Sequence, residues 1–382
     1  MKRSEGRILT THTGRLDPPP ELGALARARR QGEAVDGQVY AEKLRAGIAE
    51  IVKRQVETGL DIVSDGELGK VNTYPYYSRR LTGLKVRPVG PDEPPGMWER
   101  TGERIEFAEF YEQLGFRTAR ERMYFDGPIG YIGEAEVQRD IEIMRSALAS
   151  AGGGREAFMC VLAPGWLEHW MYNEYYKSDE EYLFALADAM KHEYKAIVDA
   201  GFILQLDDPG LPDTYDMIVP APSIEEYRRF AEIRVEALNH ALADLPEDRI
   251  RYHICWGSWH GPHTHDLPLQ HVVDLMVRVK AQAYSVEAAN PRHEHEWKVW
   301  RDVKLPEGKI LIPGVVSHAS NVVEHPELVA DRIVLYAGLV GRENVIAGTD
   351  CGMGGRVQHQ IGWAKLRALV EGARLASRQL WP

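Results

Sequence analysis

Short β-rich runs alternate with long helical stretches along most of this chain, and that alternation restricts it to parallel βα units rather than a sandwich or a helical bundle. The strand candidates are Arg7–Thr11, Asp61–Asp65, Met123–Ile129, Phe158–Ala163, Phe202–Asp207, Ile250–Cys255, Ala283–Glu287, Ile310–Val316 and Val345–Thr349. Between them Ala34–Glu57, Asp179–Ala200, Ile224–Ala243, Leu267–Ala281 and Pro326–Val340 carry apolar residues at helical spacing. Ser178 followed three residues on by Glu181 is a helix-start signature. The Pro- and Gly-rich stretch Arg87–Gly102 reads as an excursion. A length of 382 residues fits two domains or one large barrel. The expected fold is α/β: a single (β/α)8 TIM barrel over residues 1–382, with loop insertions. Nine strand candidates leave one surplus, either Met123–Ile129 or Ile310–Val316.

Composition removes several function classes. Lys and Arg number 46 against 57 Asp and Glu, a formal charge of −11 that argues against nucleic acid or an anionic membrane as the main partner. No apolar run approaches ~20 residues, and the opening MKRSEGRILTTHTGR lacks the apolar core of a signal peptide, so a cytoplasmic protein is expected. Three cysteines cannot build a disulfide framework, and each must be read by its neighbours. Cys160, inside the apolar run FMCVLAP, is assigned to the core.

Barrel enzymes place their chemistry at the C-terminal ends of the strands, and polar clusters fall at six of those ends here. In RYHICWG, His253 and Cys255 lie two apart on a strand, which puts both side chains on one face as a metal pincer. Glu287 and Cys351 at later strand ends complete a set of N, S, O and S donors, which suits one tetrahedral Zn²⁺ per chain at the rim. The competing reading makes the cysteines small buried hydrophobes and His253 a core histidine. Two thiolates and a carboxylate leave such a zinc formally one charge negative, which favours a thiolate nucleophile over hydroxide. HGPHTHD at 260–266 and PRHEHEW at 291–297 are read as solvated or salt-bridged loops rather than metal sites. GMGGR at 352–356 is a weak phosphate-cradle signal. Trp166 and Trp256 could wall a flat ligand or simply fill the core.

Seven stretches, TTHTGRL, DIVSDGELGK, LQLDDPGL, HIC, SVEAANPRHE, LIPGV and GTDCG, resemble in order the C-terminal catalytic barrel of the cobalamin-independent methionine synthases and their stand-alone relatives. The resemblance implies zinc-dependent thiol S-methylation with His253, Cys255, Glu287 and Cys351 as ligands. It further implies that Glu67 and Asp207 hold the amino group of an amino-acid thiol, and that Thr10, Thr11 and Thr13 hold its carboxylate. His318, His12 and Asp208 are the candidate proton donors. The chain reads Asp207-Asp208-Pro209 where the family reads DEP, and His318 falls one place early. The partners expected are a small-molecule thiol and an alkyl donor, and a homo-oligomer is compatible. Epoxyalkane:coenzyme M transferases are stand-alone relatives, so thiol addition to an epoxide is the alternative reaction. A zinc-bearing binding protein without turnover is a third reading.

Overall fold

The computed structural model describes residues 1–70, 73–115 and 118–382. Its centre is a ring of eight parallel strands: β1 (Leu9–Thr10), β2 (Ile62–Ser64), β3 (Glu156–Leu162), β4 (Ile203–Asp207), β5 (Ile250–His253), β6 (Ala283–Val286), β7 (Ile310–Val316) and β8 (Ile346–Thr349). Hydrogen-bonded order follows the chain, from β2 through β3 to β8 and on to β1. The ring closes where Asp61 N–H donates to Thr10 O at 3.0 Å. This is the expected (β/α)8 architecture, and Ile310–Val316 is a barrel strand with every residue buried.

Met123–Ile129 is the surplus candidate. Its observed strand, Glu121–Phe125, pairs with Leu84–Pro88 and Met171–Asn173 in a separate three-stranded sheet. That side sheet and the short helices Gly102–Glu106 and Ala108–Gln113 contain or follow the Pro- and Gly-rich stretch.

The barrel interior is filled by one or two apolar side chains from each strand but β5, namely Leu9, Ile62, Phe158, Cys160, Ile203, Ala283, Ile310, Ile312 and Ile346. A second, larger core lies between the ring and its helices. Beneath the site Arg251 is fully buried, donating to Thr11 Oγ1 at 2.9 Å and to His12 O at 2.7 Å and lying over the Phe158 ring.

Three helices follow the sequence pattern closely: Gly37–Thr58, Ile224–Ala241 and Pro326–Val340. Leu267–Ala281 is reduced to a 3₁₀ turn at Leu269–His271 and a short helix at Val273–Arg278. There Pro268 breaks the run, and Leu269 N–H donates to Glu296 Oε1 at 2.7 Å instead of within a helix. Asp179–Asp199 begins as the serine signature requires, with Ser178 Oγ accepting from Glu181 N–H at 3.1 Å. Ser178→Ala should lower stability by about 1 kcal/mol. Urea titration would show it as a lower midpoint with an unchanged slope; an unchanged midpoint would mean the cap contributes nothing here.

Candidate active site

A cavity of about 420 Å³ opens at the C-terminal rim and is lined by residues from most strand ends. His253 closes β5, and Cys255 lies two residues on, so the strand's alternation sends both inward. Cys351 lies two residues after the end of β8. A bulge between β7 and β8 lets Gly314 pack on the backbone of Asp350, where a Cβ would come within 2.3 Å of Asp350 Oδ1. Any side chain at Gly314 would displace the strand end that carries Cys351.

One donor atom each from His253, Cys255 and Cys351 lies within 4.8 Å of the others. The two sulfurs are 3.9 Å apart, far beyond a disulfide bond of about 2 Å. Two sulfurs sharing a tetrahedral zinc at ~2.3 Å would sit about 3.8 Å apart. His253 Nδ1 lies 3.3 Å from Ser285 Oγ, whereas its Nε2 is buried without a hydrogen-bond partner. An orphaned ring nitrogen beside two sulfurs at that spacing fits zinc and costs stability without one. The hydrogen bond with Cys351 and burial push Cys255 up, and the same bond, with His253 beside it, holds Cys351 well below the ordinary thiol value.

Glu287 stands next to this trio and outside it. It groups with His318 and Asp350, accepts from Trp256 N–H at 3.2 Å and is bonded by the Asn290 amide. Burial and the neighbouring Asp350 raise its carboxyl well above the usual range. His318 is buried with Nδ1 unpartnered, and burial lowers its pKa to about 4, so it is neutral at pH 7.

Glu67 and Asp207 face each other across the cavity floor, with the Cys160 thiol completing a tight group. Glu67 adopts a left-handed φ of 56°, which aims its carboxylate inward, and Lys70 Nζ lies 3.8 Å from it. Gln205 Nε2 donates to Asp207 Oδ1 and to Thr13 O, both at 2.6 Å, tying two strand ends together. Burial and Glu67 raise Asp207 to about 7. Cys160 itself is core, its sulfur accepting from Gln205 Nε2 at 3.3 Å behind the cavity lining.

Not every expected residue reaches the cavity. Thr13 lines it, with Oγ1 donating to Thr349 O at 2.7 Å. Thr10 is turned outward to Asp61, and Thr11 is buried in the barrel beside Arg251, so neither lines it. His12 accepts from Gly14 N–H at Nδ1 and lies 2.8 Å from Gln55 Oε1 at Nε2; buried and held near a pKa of about 3 by that burial, it braces the loop. Asp208 accepts from Tyr252 OH at 2.6 Å, behind the cavity wall. None of the three proposed proton donors, His318, His12 or Asp208, touches the cavity. Trp166 does, and Trp98, Trp170 and Trp259 join it as an aromatic wall, with Trp98 and Trp170 ring centres 5.1 Å apart. Trp256 is core, stacked on His293. The two histidine-rich loops tie to each other, since Asp266 bonds both His263 and His293 and Glu296 bonds His293. Asp213, Arg15 and Arg356 also line the cavity without having been singled out from the sequence. Arg15 closes TTHTGR and Arg356 closes GMGGR, so proximity to strand ends was the available signal.

The profile of the family described as "Cobalamin-independent synthase, Catalytic domain" matches residues 160–375, more than half of the chain. The chain belongs to the cobalamin-independent methionine synthase family. The family's methionine synthase of Thermococcus kodakarensis is 23% identical over 347 residues, covering 89% of this chain and 85% of that protein. That of Saccharolobus islandicus is 22% identical over 374 residues, covering 97% and 95%. Among solved structures, a B12-independent methionine synthase from Shewanella sp. W3-18-1, in complex with selenomethionine, superposes with a TM-score of 0.72 at 19% identity, covering 98% of this chain and 99% of that one. Family membership makes this chain an enzyme of the methyltransferase class. Among the described residues no helix is long and apolar enough to cross a membrane.

Proposed function

We propose that residues 1–382 act as one catalytic unit, a zinc-dependent thiol S-methyltransferase of the methionine synthase type. The observation that carries this reading is the 3.9 Å sulfur separation beside the orphaned His253 Nε2. His253, Cys255 and Cys351 would hold the metal, and Glu287, which groups with His318 and Asp350 and acts electrostatically on both cysteines, would be the exchangeable fourth ligand. Zinc bound there lowers the pKa of an incoming thiol while leaving its sulfur nucleophilic.

The chain's own groups supply the rest. Glu67 and Asp207 present carboxylates that suit an ammonium group on the acceptor. Trp166, Trp98 and Trp170 form an apolar wall that excludes water and orients a methyl donor. The S–CH₃ bond forms as the donor's bond to that methyl breaks. The proton lost by the thiol balances the one taken up by the leaving group. His318, neutral at pH 7 and outside the cavity lining, holds no surplus proton for that step.

Thiol addition to an epoxide is the second reading, favoured by the Arg15 and Arg356 guanidinium groups on the cavity wall. Mass spectrometry of products separates the two, since a methyl thioether and a hydroxyalkyl thioether differ in mass. Mixing the zinc-loaded protein with its thiol at neutral pH should release about one proton per site, because a free thiol of pKa ~8.5 starts mostly protonated. If no thiol in a broad panel releases a proton, both readings fail and a water-activating zinc enzyme takes their place.

A further inference from the structure

The cavity wall carries charges of both signs. Glu67, Asp207 and Asp213 line it together with Arg15 and Arg356, which lie on the loops after β1 and β8. Those two loops are joined: Met353 and Gly354 N–H both donate to Arg15 O, at 2.9 and 3.0 Å, and Gly355 N–H donates to Asp17 Oδ1 at 2.8 Å. Gly352 and Gly354 permit the contact, since a Cβ on either would lie within 2.7 Å of Arg15 or Leu16. The Arg356 side chain is then steered by one bond, from its Nε to Ser258 Oγ at 2.9 Å. Ser258 lies three residues after Cys255 and Arg356 five after Cys351, so the guanidinium bridges the two cysteine-bearing loops.

Among the described residues, Arg356 has no carboxylate within 4.0 Å, although most arginines on this surface are paired. A preorganised guanidinium without a counter-charge, facing a ligand cavity beside the thiols, is a recognition group for an anion. Arg356 is solvent-exposed at the cavity mouth and lines the same cavity as Cys255 and Cys351.

We propose that Arg356, set by Ser258 on the loop bolted to Arg15, binds an anionic group of the thiol acceptor, a carboxylate or a sulfonate. The proposal rests on the thiol reading above and narrows its substrate class. An acceptor with its sulfur at the cysteines would place its acid group on Arg356 and leave the Glu67–Asp207 side for a cationic group.

The rival role is that Arg356 only balances the charge of the thiolates, in which case it would affect every thiol equally. The test uses the full-length zinc-loaded protein and three probes: 3-mercaptopropionate, 2-mercaptoethanesulfonate and the neutral 3-mercaptopropionamide. Binding is followed by calorimetry and by fluorescence of the cavity tryptophans, with zinc content measured for each variant. Wild type should bind at least one anionic probe about ten- to a hundredfold tighter than the amide. Arg356→Gln should erase that preference while leaving amide affinity and zinc content unchanged, and Arg356→Lys should restore part of it. Persistence of the preference in Arg356→Gln, or an equal loss for the amide, overturns the proposal and leaves the thiol reading standing. Failure of all three probes to bind wild type overturns both.

Discussion

Cys351→Ser should strip the protein of its metal and reduce thiol alkylation to background. Losing one sulfur from a site with three preset donors should weaken zinc by well over the ~100-fold that removal of an outer hydrogen-bonding partner costs. Without zinc, a thiol of pKa ~8.5 is only a few per cent ionised at pH 7, so the nucleophile largely disappears. Cys255→Ser should behave alike. Cys160→Ala should keep its zinc, because that sulfur is held behind the cavity lining by Gln205 and the Thr13 carbonyl. Glu287→Gln should keep zinc with reduced affinity, since Glu287 is engaged with Trp256 and Asn290 rather than closed on the sulfurs. The fold should survive all these metal losses with some loss of stability, because the two apolar cores do not depend on one ion. Metal analysis after dialysis decides the matter: zinc retained in Cys351→Ser, or lost in Cys160→Ala, would reassign the ligands.

The barrel was legible because its strands are short apolar runs ended by polar residues, and Ile310–Val316 is buried at every position. Glu121–Phe125 mimicked that signal although its sheet lies beside the ring; its exposed first residue and half-buried Met123 are the local marks of the difference. Three helices, Pro20–Arg30, Glu134–Ser150 and His359–Leu380, were not drawn from the sequence. The last buries Gly362, Ala368, Gly372, Ala373 and Ala376, small residues that give a weak apolar signal yet allow close packing. At Gly372 a Cβ would come within 2.4 Å of Val329 on the neighbouring helix Pro326–Val340.

Within the site, the His253–Cys255 pair was readable from strand periodicity alone. The same alternation separates Thr10, turned outward, from Thr11, turned in, so the threonine segment carried more information than its polarity. Trp98 and Arg104 were out of reach. Trp98 comes from a Pro- and Gly-rich stretch whose composition says only that it turns, Arg104 from the short helix that follows it, and tertiary packing alone brings them to the rim.

Asp207→Asn should trade binding for stability. Burial and Glu67 hold the Asp207 carboxyl near 7, against about 3.9 when exposed, so the folded chain takes up a proton that the unfolded chain has released between those two values. Its contribution to stability is therefore full below pH ~4, declines as pH rises toward 7 and is flat above. Asparagine escapes that decline, and its amide oxygen can still accept from Gln205. At pH 8 the variant should be more stable than wild type by on the order of 2–4 kcal/mol, and at pH 4 the two should converge. Binding should move the other way. An ammonium group on the acceptor needs the ionised carboxylate, so wild-type preference for 2-aminoethanethiol over 2-mercaptoethanol should grow from pH 6 to pH 8. In Asp207→Asn that preference should fall by about 1.5–3 kcal/mol and lose its pH dependence. The ammonium makes the first thiol the more acidic of the two, so each affinity is corrected for the ionisation of its own sulfur before the ratio is taken. If the variant weakens both thiols by the same factor, Asp207 serves the floor through Gln205 and Thr13 rather than the acceptor's amino group. If it gains no stability at pH 8, the buried carboxyl is neutralised by Lys70 more completely than the 3.8 Å reach of that lysine to Glu67 implies.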